Sequence, residues 1–197
     1  MPTILAHGAI GFAAARTFAK TPHSDWLAMA SVILAFLPDV DGLFFRLIPY
    51  RHPLGHRGLT HSLLFAAVAG LVTAMIFVQK RWNGSHSFAG LAIFFSLVTA
   101  SHGFFDAMTT GGLGVAFFAP FDTTRYFFPF RPIPVSPMSL AGLLSDRGLR
   151  VIATELGLFW TFAAAAALWR GRTPIHVICG SLFATAGAAC WLLTLGH

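Results

Sequence analysis

Histidine and aspartate recur in four short stretches of this chain: His7 in ILAHG, Asp39 and Asp41 in LPDVD, His56 and His61 in GHRGLTHS, and His102 and Asp106 in SHGFFD. Imidazole nitrogen with carboxylate oxygen, and no sulfur, is ligand chemistry suited to zinc and related metals. His102 and Asp106 are four positions apart, which puts them on one face of a helix and lets both hold one ion. Four histidines and three aspartates exceed the needs of one tetrahedral catalytic ion, which takes about three protein ligands and keeps a position for water. Two ions sharing the set would use them. A pair about 3.5 to 4 Å apart clamps a phosphoryl group and lowers the pKa of a bound water toward neutrality. Arg57 stands between the two histidines of GHRGLTHS, placed to receive a phosphate or the charge growing on it.

The elements that must carry these residues are apolar. Of 197 residues 56% are hydrophobic and 10% charged, with a mean hydropathy of +0.71, whereas soluble domains carry about 25% charged residues. The composition is that of a membrane protein. The net charge of +6 comes from small basic groups scattered between apolar runs, without the continuous stripe that nucleic acid requires. Membrane lipids with anionic head groups, or a phosphate-bearing substrate, fit that pattern better. Cys179 and Cys190 lie in one apolar segment, about 16 Å apart on a helix. That is too far for a disulfide, and thiolate metal sites are excluded with it. The opening MPTILAHGAIGFAAAR has no basic residue ahead of its apolar stretch and contains a histidine, so it reads as retained structure and not as a cleaved signal.

Stretches 62–78, 88–105, 151–169 and 173–196 approach or meet the roughly 17 to 25 residues of a membrane-crossing helix. Glu155 interrupts the third of these near an end, where its carboxylate is expected to reach the interface. The pieces 4–15 and 26–37 are shorter, and Pro38 is expected to end the second. The expectation is therefore an all-α, multi-pass membrane bundle of about six helices, four clear spans and two shorter N-terminal ones, in a single domain. Its two regions are 1–138, which carries the polar cluster, and 139–197, a C-terminal helix pair. Between them the long section 106–150 is rich in Gly, Pro and Phe, and loops of that length are uncommon unless they serve a function.

If the helices alternate across the bilayer, His7 opens the first, Asp39 and Asp41 follow the second, His56 and His61 open the third, and His102 and Asp106 close the fourth. All then lie on one side. Ionisable groups beside hydrocarbon need a partner or a role, and a metal centre built from helix ends gives them one. Plainer readings compete at single positions: Thr60 as a helix N-cap with Gly55 and Gly58 as turn residues, and His7 as an interfacial hydrogen-bonding residue. Asp39 and Asp41 could be loop caps. His52 falls outside the proposed ligand set, and His23, His86, His176 and His197 read as surface residues. The Phe-rich FFAPFDTTRYFFPF reads as an interfacial aromatic belt. TTGG (109–112) reads as a tight turn, with a phosphate cradle as its second reading.

LPDVD, GHRGLTHS and SHGFFDAMTTGG, followed by FFAPF, together resemble the YdjM-like family of bacterial inner-membrane proteins, described as metal-dependent hydrolases of the LexA-regulated type. The likeness covers about residues 1–138. That family is in turn distantly similar to zinc-dependent phospholipase C and P1-type nucleases. Carried over by position, the resemblance implies metal-ligand roles for His7, Asp39, His56, His61, His102 and Asp106, with Asp41 a further ligand or the base. The function implied is two-zinc phosphoester hydrolysis on a lipid or lipid-linked substrate. The competing reading is a non-enzymatic metal-binding membrane protein with a structural, regulatory or transport role.

Sidedness follows from basic residues near span ends. The short connections opposite the site hold Arg16, Lys20, Lys80, Arg81, Arg170 and Arg172 against Asp25, while Arg46, Arg51, Arg57, Arg125, Arg131, Arg147 and Arg150 are spread through longer sections. The short loops are expected in the cytoplasm, which puts the metal site on the periplasmic side of the inner membrane. A cysteine at Ser85 should then resist a membrane-impermeant thiol reagent in intact cells, and one at Ser145 should react. The reverse pattern would put the site in the cytoplasm.

Overall fold

The computed structural model describes residues 1–19, 25–45, 47–81, 86–137, 139–169 and 174–195. Lys20, His23, Arg46, Ser85, Met138, Arg170, Arg172 and His197, each used in the reading above, lie outside the described residues. Among the described residues the chain is all-α, with two isolated β-bridges, Thr109 to Ile133 and Val115 to Tyr126, and no strand. The helices are α1 (Ile4–Phe18), α2 (Asp25–Phe36), α3 (Leu63–Gln79), α4 (Phe88–Ala107), the single turn α5 (Leu140–Leu143), α6 (Asp146–Glu155), α7 (Thr161–Trp169) and α8 (Pro174–Leu195). A 3₁₀ helix, Leu37–Phe44, prolongs α2, and a π-helical turn, Leu156–Trp160, joins α6 to α7.

Three of these segments are long and apolar enough to cross a membrane: Asp25–Phe44, Phe88–Ala107 and Asp146–Leu168. Ile4–Phe18, Leu63–Gln79 and His176–Ala189 are shorter apolar helices. This redistributes the expected spans. Pro38 does end α2, but it sits in the first turn of the 3₁₀ helix, where its missing N–H removes no helical bond. The second segment is thereby lengthened and delivers Asp39 and Asp41 on its last turns. The third, in contrast, is a 17-residue helix because Ser62, not Thr60, caps it by accepting from the Phe65 N–H.

Sequential helices pack as hairpins, α1 on α2, α3 on α4 and α7 on α8, while α2 also meets α4 and α1 meets α7. The first pairs close tightly at glycines. A Cβ on Gly11 would lie 2.4 Å from the Ser31 carbonyl oxygen, and one on Gly70 would lie 2.4 Å from the Ser96 nitrogen. Small residues of this kind let membrane helices approach backbone to backbone. One apolar core joins α1, α2, α3 and α4 around Leu27, Leu34, Phe77, Leu91 and Phe95. A second joins Ala6 and Ala9 of α1 to Leu158, Phe159 and Ala163, with Ile133 from the long loop.

Glu155 does not reach an interface. It is 2% exposed and accepts from the Thr3 backbone N–H at 2.6 Å and from the Thr3 hydroxyl. Thr3 is in turn the N-cap of α1, accepting from the Ala6 N–H. The carboxylate thus satisfies the start of α1 from outside and ties the C-terminal pair to the helix that carries His7. Hydrogen bonds to a charged group contribute about 1.5 to 3 kcal/mol, and Glu155→Leu would leave both Thr3 donors buried and unpaired. That variant should unfold several degrees below the wild type in a thermal melt, and an unchanged melting temperature would show that the contact is not structural.

Candidate metal centre

Each segment brings its polar residues to the same end of the bundle for a local reason. His7 lies one turn into α1 behind its Thr3 cap. Asp39 and Asp41 sit two positions apart on a 3₁₀ helix of three residues per turn, so their carboxylates diverge. His61 ends a 3₁₀ turn, Leu59–His61, while His102 and Asp106 share one face of the last turns of α4. The loop holding His56 is fixed from outside by Arg125, which donates to the carbonyls of Tyr50 at 2.9 Å, His52 at 3.3 Å and His56 at 2.9 Å. Its guanidinium also lies over the Tyr50 ring.

The ends meet closely. His7 Nε2 is 3.5 Å from Asp106 Oδ1, Asp106 Oδ2 is 3.6 Å from His61 Nε2, His61 Nε2 is 3.7 Å from Asp39 Oδ1, and Asp39 Oδ1 is 3.3 Å from His102 Nε2. The His7 and His102 rings stack with centroids 3.7 Å apart. All of this is buried: His7, His61, His102 and Asp106 are at most 4% exposed. Yet His7 Nδ1 and Nε2, His61 Nε2, His102 Nε2 and both oxygens of Asp39 and Asp106 have no hydrogen-bond partner. Buried polar atoms almost always have a hydrogen-bond partner, so this concentration of atoms without one fits the donor set of a metal cation. The separations agree, since ligands about 2.0 to 2.2 Å from a tetrahedral ion lie about 3.3 to 3.6 Å from one another.

Tautomers point the same way. His102 Nδ1 lies 2.7 Å from the Ala35 carbonyl oxygen, which can only accept, so the proton is on Nδ1 and Nε2 offers a lone pair. His61 Nδ1 faces Asp41 Oδ2 at 3.2 Å and the Thr60 hydroxyl at 3.0 Å, again directing Nε2 inward. Carboxylate or carbonyl contacts on the far nitrogen are how metal-binding histidines are oriented. Burial alone disfavours charge on His61, but the carboxylates of Asp106, Asp39 and Asp41 outweigh it and hold its pKa well above the ordinary histidine value.

Two three-residue sets bring their ligand atoms within 4.8 Å: His7, His102 and Asp106, and Asp39, His56 and His61. The six residues carried over as ligands are therefore together. Two other expectations change. Asp41 is engaged at both oxygens, Oδ1 with His56 Nδ1 at 2.6 Å and Oδ2 with the Thr60 hydroxyl at 2.5 Å and with His61. It thereby orients two histidines. Arg57 points into the protein. Its backbone is left-handed, with φ of 61°, which turns the side chain inward to 1% exposure. There Nε lies 2.9 Å from Asp106 Oδ2, Nη2 donates to the Thr109 hydroxyl and Nη1 to the Gly111 carbonyl, each at 3.0 Å. The TTGG turn therefore cradles a guanidinium. Gly112 has φ of +95°, and a Cβ there would lie 2.6 Å from Arg57 Nη1.

Residues read otherwise from the sequence complete the site. Thr60 serves Asp41 and Thr109 serves Arg57, although their motifs read as a helix cap and a tight turn. The Ala35 carbonyl serves His102 from a plain apolar stretch. Three plainer assignments stand. The His52 ring is exposed and accepts from the Leu54 N–H within its own turn, His86 stacks on Phe18 at the other end of α1, and His176 is exposed. In the Phe-rich loop Phe118 and Phe121 are exposed, as a belt requires, but Phe117 and Phe128 turn in on Phe104.

Fold and cluster together define an integral membrane protein of helical-bundle type with a buried His/Asp centre of metal-binding character at one end. The chain belongs to the YdjM inner membrane protein family, which matches residues 1–177. It is also similar to the inner membrane protein YbcI of Escherichia coli (strain K12), with 36% identity over 164 residues, covering 81% of this chain and 91% of that protein. No solved structure matches the chain. Because second-layer contacts to metal-binding histidines are worth about 10- to 100-fold in metal affinity, Asp41→Asn should weaken binding by about that factor in a competition titration while leaving the stoichiometry unchanged. Loss of a whole equivalent would make Asp41 a ligand.

Proposed function

We propose that this protein is a membrane-bound metal-dependent hydrolase acting on a phosphoester of a lipid or lipid-linked substrate through two zinc ions. The observation that carries the reading is the convergence of eight unpaired, buried imidazole and carboxylate atoms from His7, Asp39, His61, His102 and Asp106. His7, His102 and Asp106 would hold one ion, and Asp39, His56 and His61 the other. Zinc bound in such a set supplies Lewis acidity and a water ionised near neutral pH. Asp41 keeps His56 and His61 aligned, and Arg57 keeps Asp106 in place. Two divalent ions together with Arg57 would outweigh three aspartates, leaving net positive charge in a buried site that an anionic phosphoester matches. The resemblance to phospholipase C and P1-type nucleases supports the same substrate class. The basic residues near span ends support a periplasmic position for the centre.

A second reading rests on closure. The side chains of the centre are at most 9% exposed, Asp39 being the most open, and structural metal sites are closed where catalytic ones keep a position free. A resident ion that stabilises or regulates the bundle is the corresponding function.

Elemental analysis of the purified protein separates these from a metal-free protein. About two equivalents of zinc should copurify, and His61→Ala or Asp106→Ala should remove at least one; unchanged metal in both variants would sink the site. The enzyme reading further requires chelator-sensitive turnover of a phosphodiester or phospholipid panel. Bound metal that raises the melting temperature without any turnover on that panel would select the structural role.

A further inference from the structure

One cavity among the described residues lies away from the metal centre. It measures about 770 Å³ and sits between α1 and the π-turn and α7, with Phe105 of α4 and Trp191 of α8 as side walls. Its origin is a register. Thr3 and Glu155 are joined 152 residues apart, and both helices descend in parallel from that bond. At the same offset further down, Ala13 and Ala14 of α1 and Ala165 and Ala166 of α7 line the cavity with short side chains. The end toward the metal centre is shut by aromatic rings, Phe105 edge-on to Phe159 at 5.2 Å and Phe159 edge-on to Trp191 at 6.1 Å. The other end is polar, where Arg16 and Thr17 complete the lining.

We infer that this cavity holds one acyl chain of an anionic phospholipid, taken from the leaflet at the C-terminal end of α1, with the head-group phosphate beside Arg16. The volume lies in the range of ligand sites, about 300 to 1,000 Å³. Inward of Arg16 and Thr17 its walls are alanine, isoleucine, leucine and aromatic side chains, which offer water few of the two to four polar partners a buried water needs, and left empty they would forfeit their dispersion contacts on one side. Hydrocarbon is the surrounding solvent of an inner membrane protein, so a chain enters without dehydration. Six residues separate Ile10 from Arg16, about 9 Å along the helix, which gives the site the polarity of a lipid: apolar and closed inside, cationic at the mouth. The ligand stabilises the contact between α1 and the C-terminal pair below the Thr3–Glu155 bond, and it is distinct from any substrate at the metal centre.

Native mass spectrometry of the full chain released from vesicles of equal phosphatidylglycerol and phosphatidylcholine tests this. One phospholipid should stay bound, with phosphatidylglycerol favoured about fivefold, the factor that one basic side chain near the membrane surface supplies. Ala14→Leu with Ala165→Leu should fill the cavity and abolish retention while metal content stays at the wild-type value. Arg16→Gln, which leaves the cavity shape alone, should retain a lipid but lose the preference. No retained lipid in the wild type, equal retention of the two lipids, or retention unchanged by the paired leucines would each overturn the inference. Should the paired leucines fail to fold, as judged by lost metal, the Arg16→Gln preference decides.

Discussion

Asp39 and Asp106 dictate the rest of this structure. Removing a carboxylate from water costs several kcal/mol unless a positive charge with good geometry offsets it, and here two are placed within 4 Å of common histidines in a closed, apolar bundle. Arg57 offsets part of that cost at Asp106. Among the described residues Asp39 is ion-paired with histidines alone, and the oxygens of both carboxylates lack a hydrogen-bond partner. A cation between them, as proposed, would turn this costly feature of the fold into a contact that holds four helical segments at one level.

That requirement explains the supports around the centre, each drawn from a different part of the chain. Ala35 sets His102 from α2, Asp41 sets His56 and His61 from the 3₁₀ extension, and Arg57 sets Asp106 while locking the TTGG turn. Glu155 reaches from the sixth helix to start α1 correctly, and so acts on His7 through the helix that bears it. Arg125 pins the His56 loop by its carbonyls. Ligands held to within about half an ångström need such backing. It also explains why a chain so poor in charge keeps its buried charges at this one end.

The convergence of His7, Asp39, His56, His61, His102 and Asp106 was legible in the sequence because alternation of apolar helices depends only on segment count and on which end of each segment carries the polar residue. Direction within the cluster was not legible. Whether Asp41 faces the ion or the histidines depends on the tighter rotation of a 3₁₀ helix, which starts at a proline that otherwise reads as a stop. Arg57 looks like a substrate clamp until its left-handed backbone turns it inward. Glu155 lies near the end of an apolar stretch, and its partner, Thr3, is 152 residues away, beyond the reach of any periodicity. The expected spans 88–105 and 151–169 hold, whereas the unbroken runs 62–78 and 173–196 give shorter apolar helices among the described residues, and 26–37 is lengthened by a 3₁₀ helix that begins beside a proline and carries two aspartates.

X-ray absorption at the zinc edge of the purified, metal-loaded protein tests the central claim most directly. A first shell of nitrogen and oxygen only, at about 2.0 to 2.1 Å, with the multiple-scattering pattern of two to three imidazoles per ion, is the expected result. A sulfur shell at about 2.3 Å, or a shell of oxygen alone without imidazole scattering, would place the metal somewhere other than among these histidines and contradict the account.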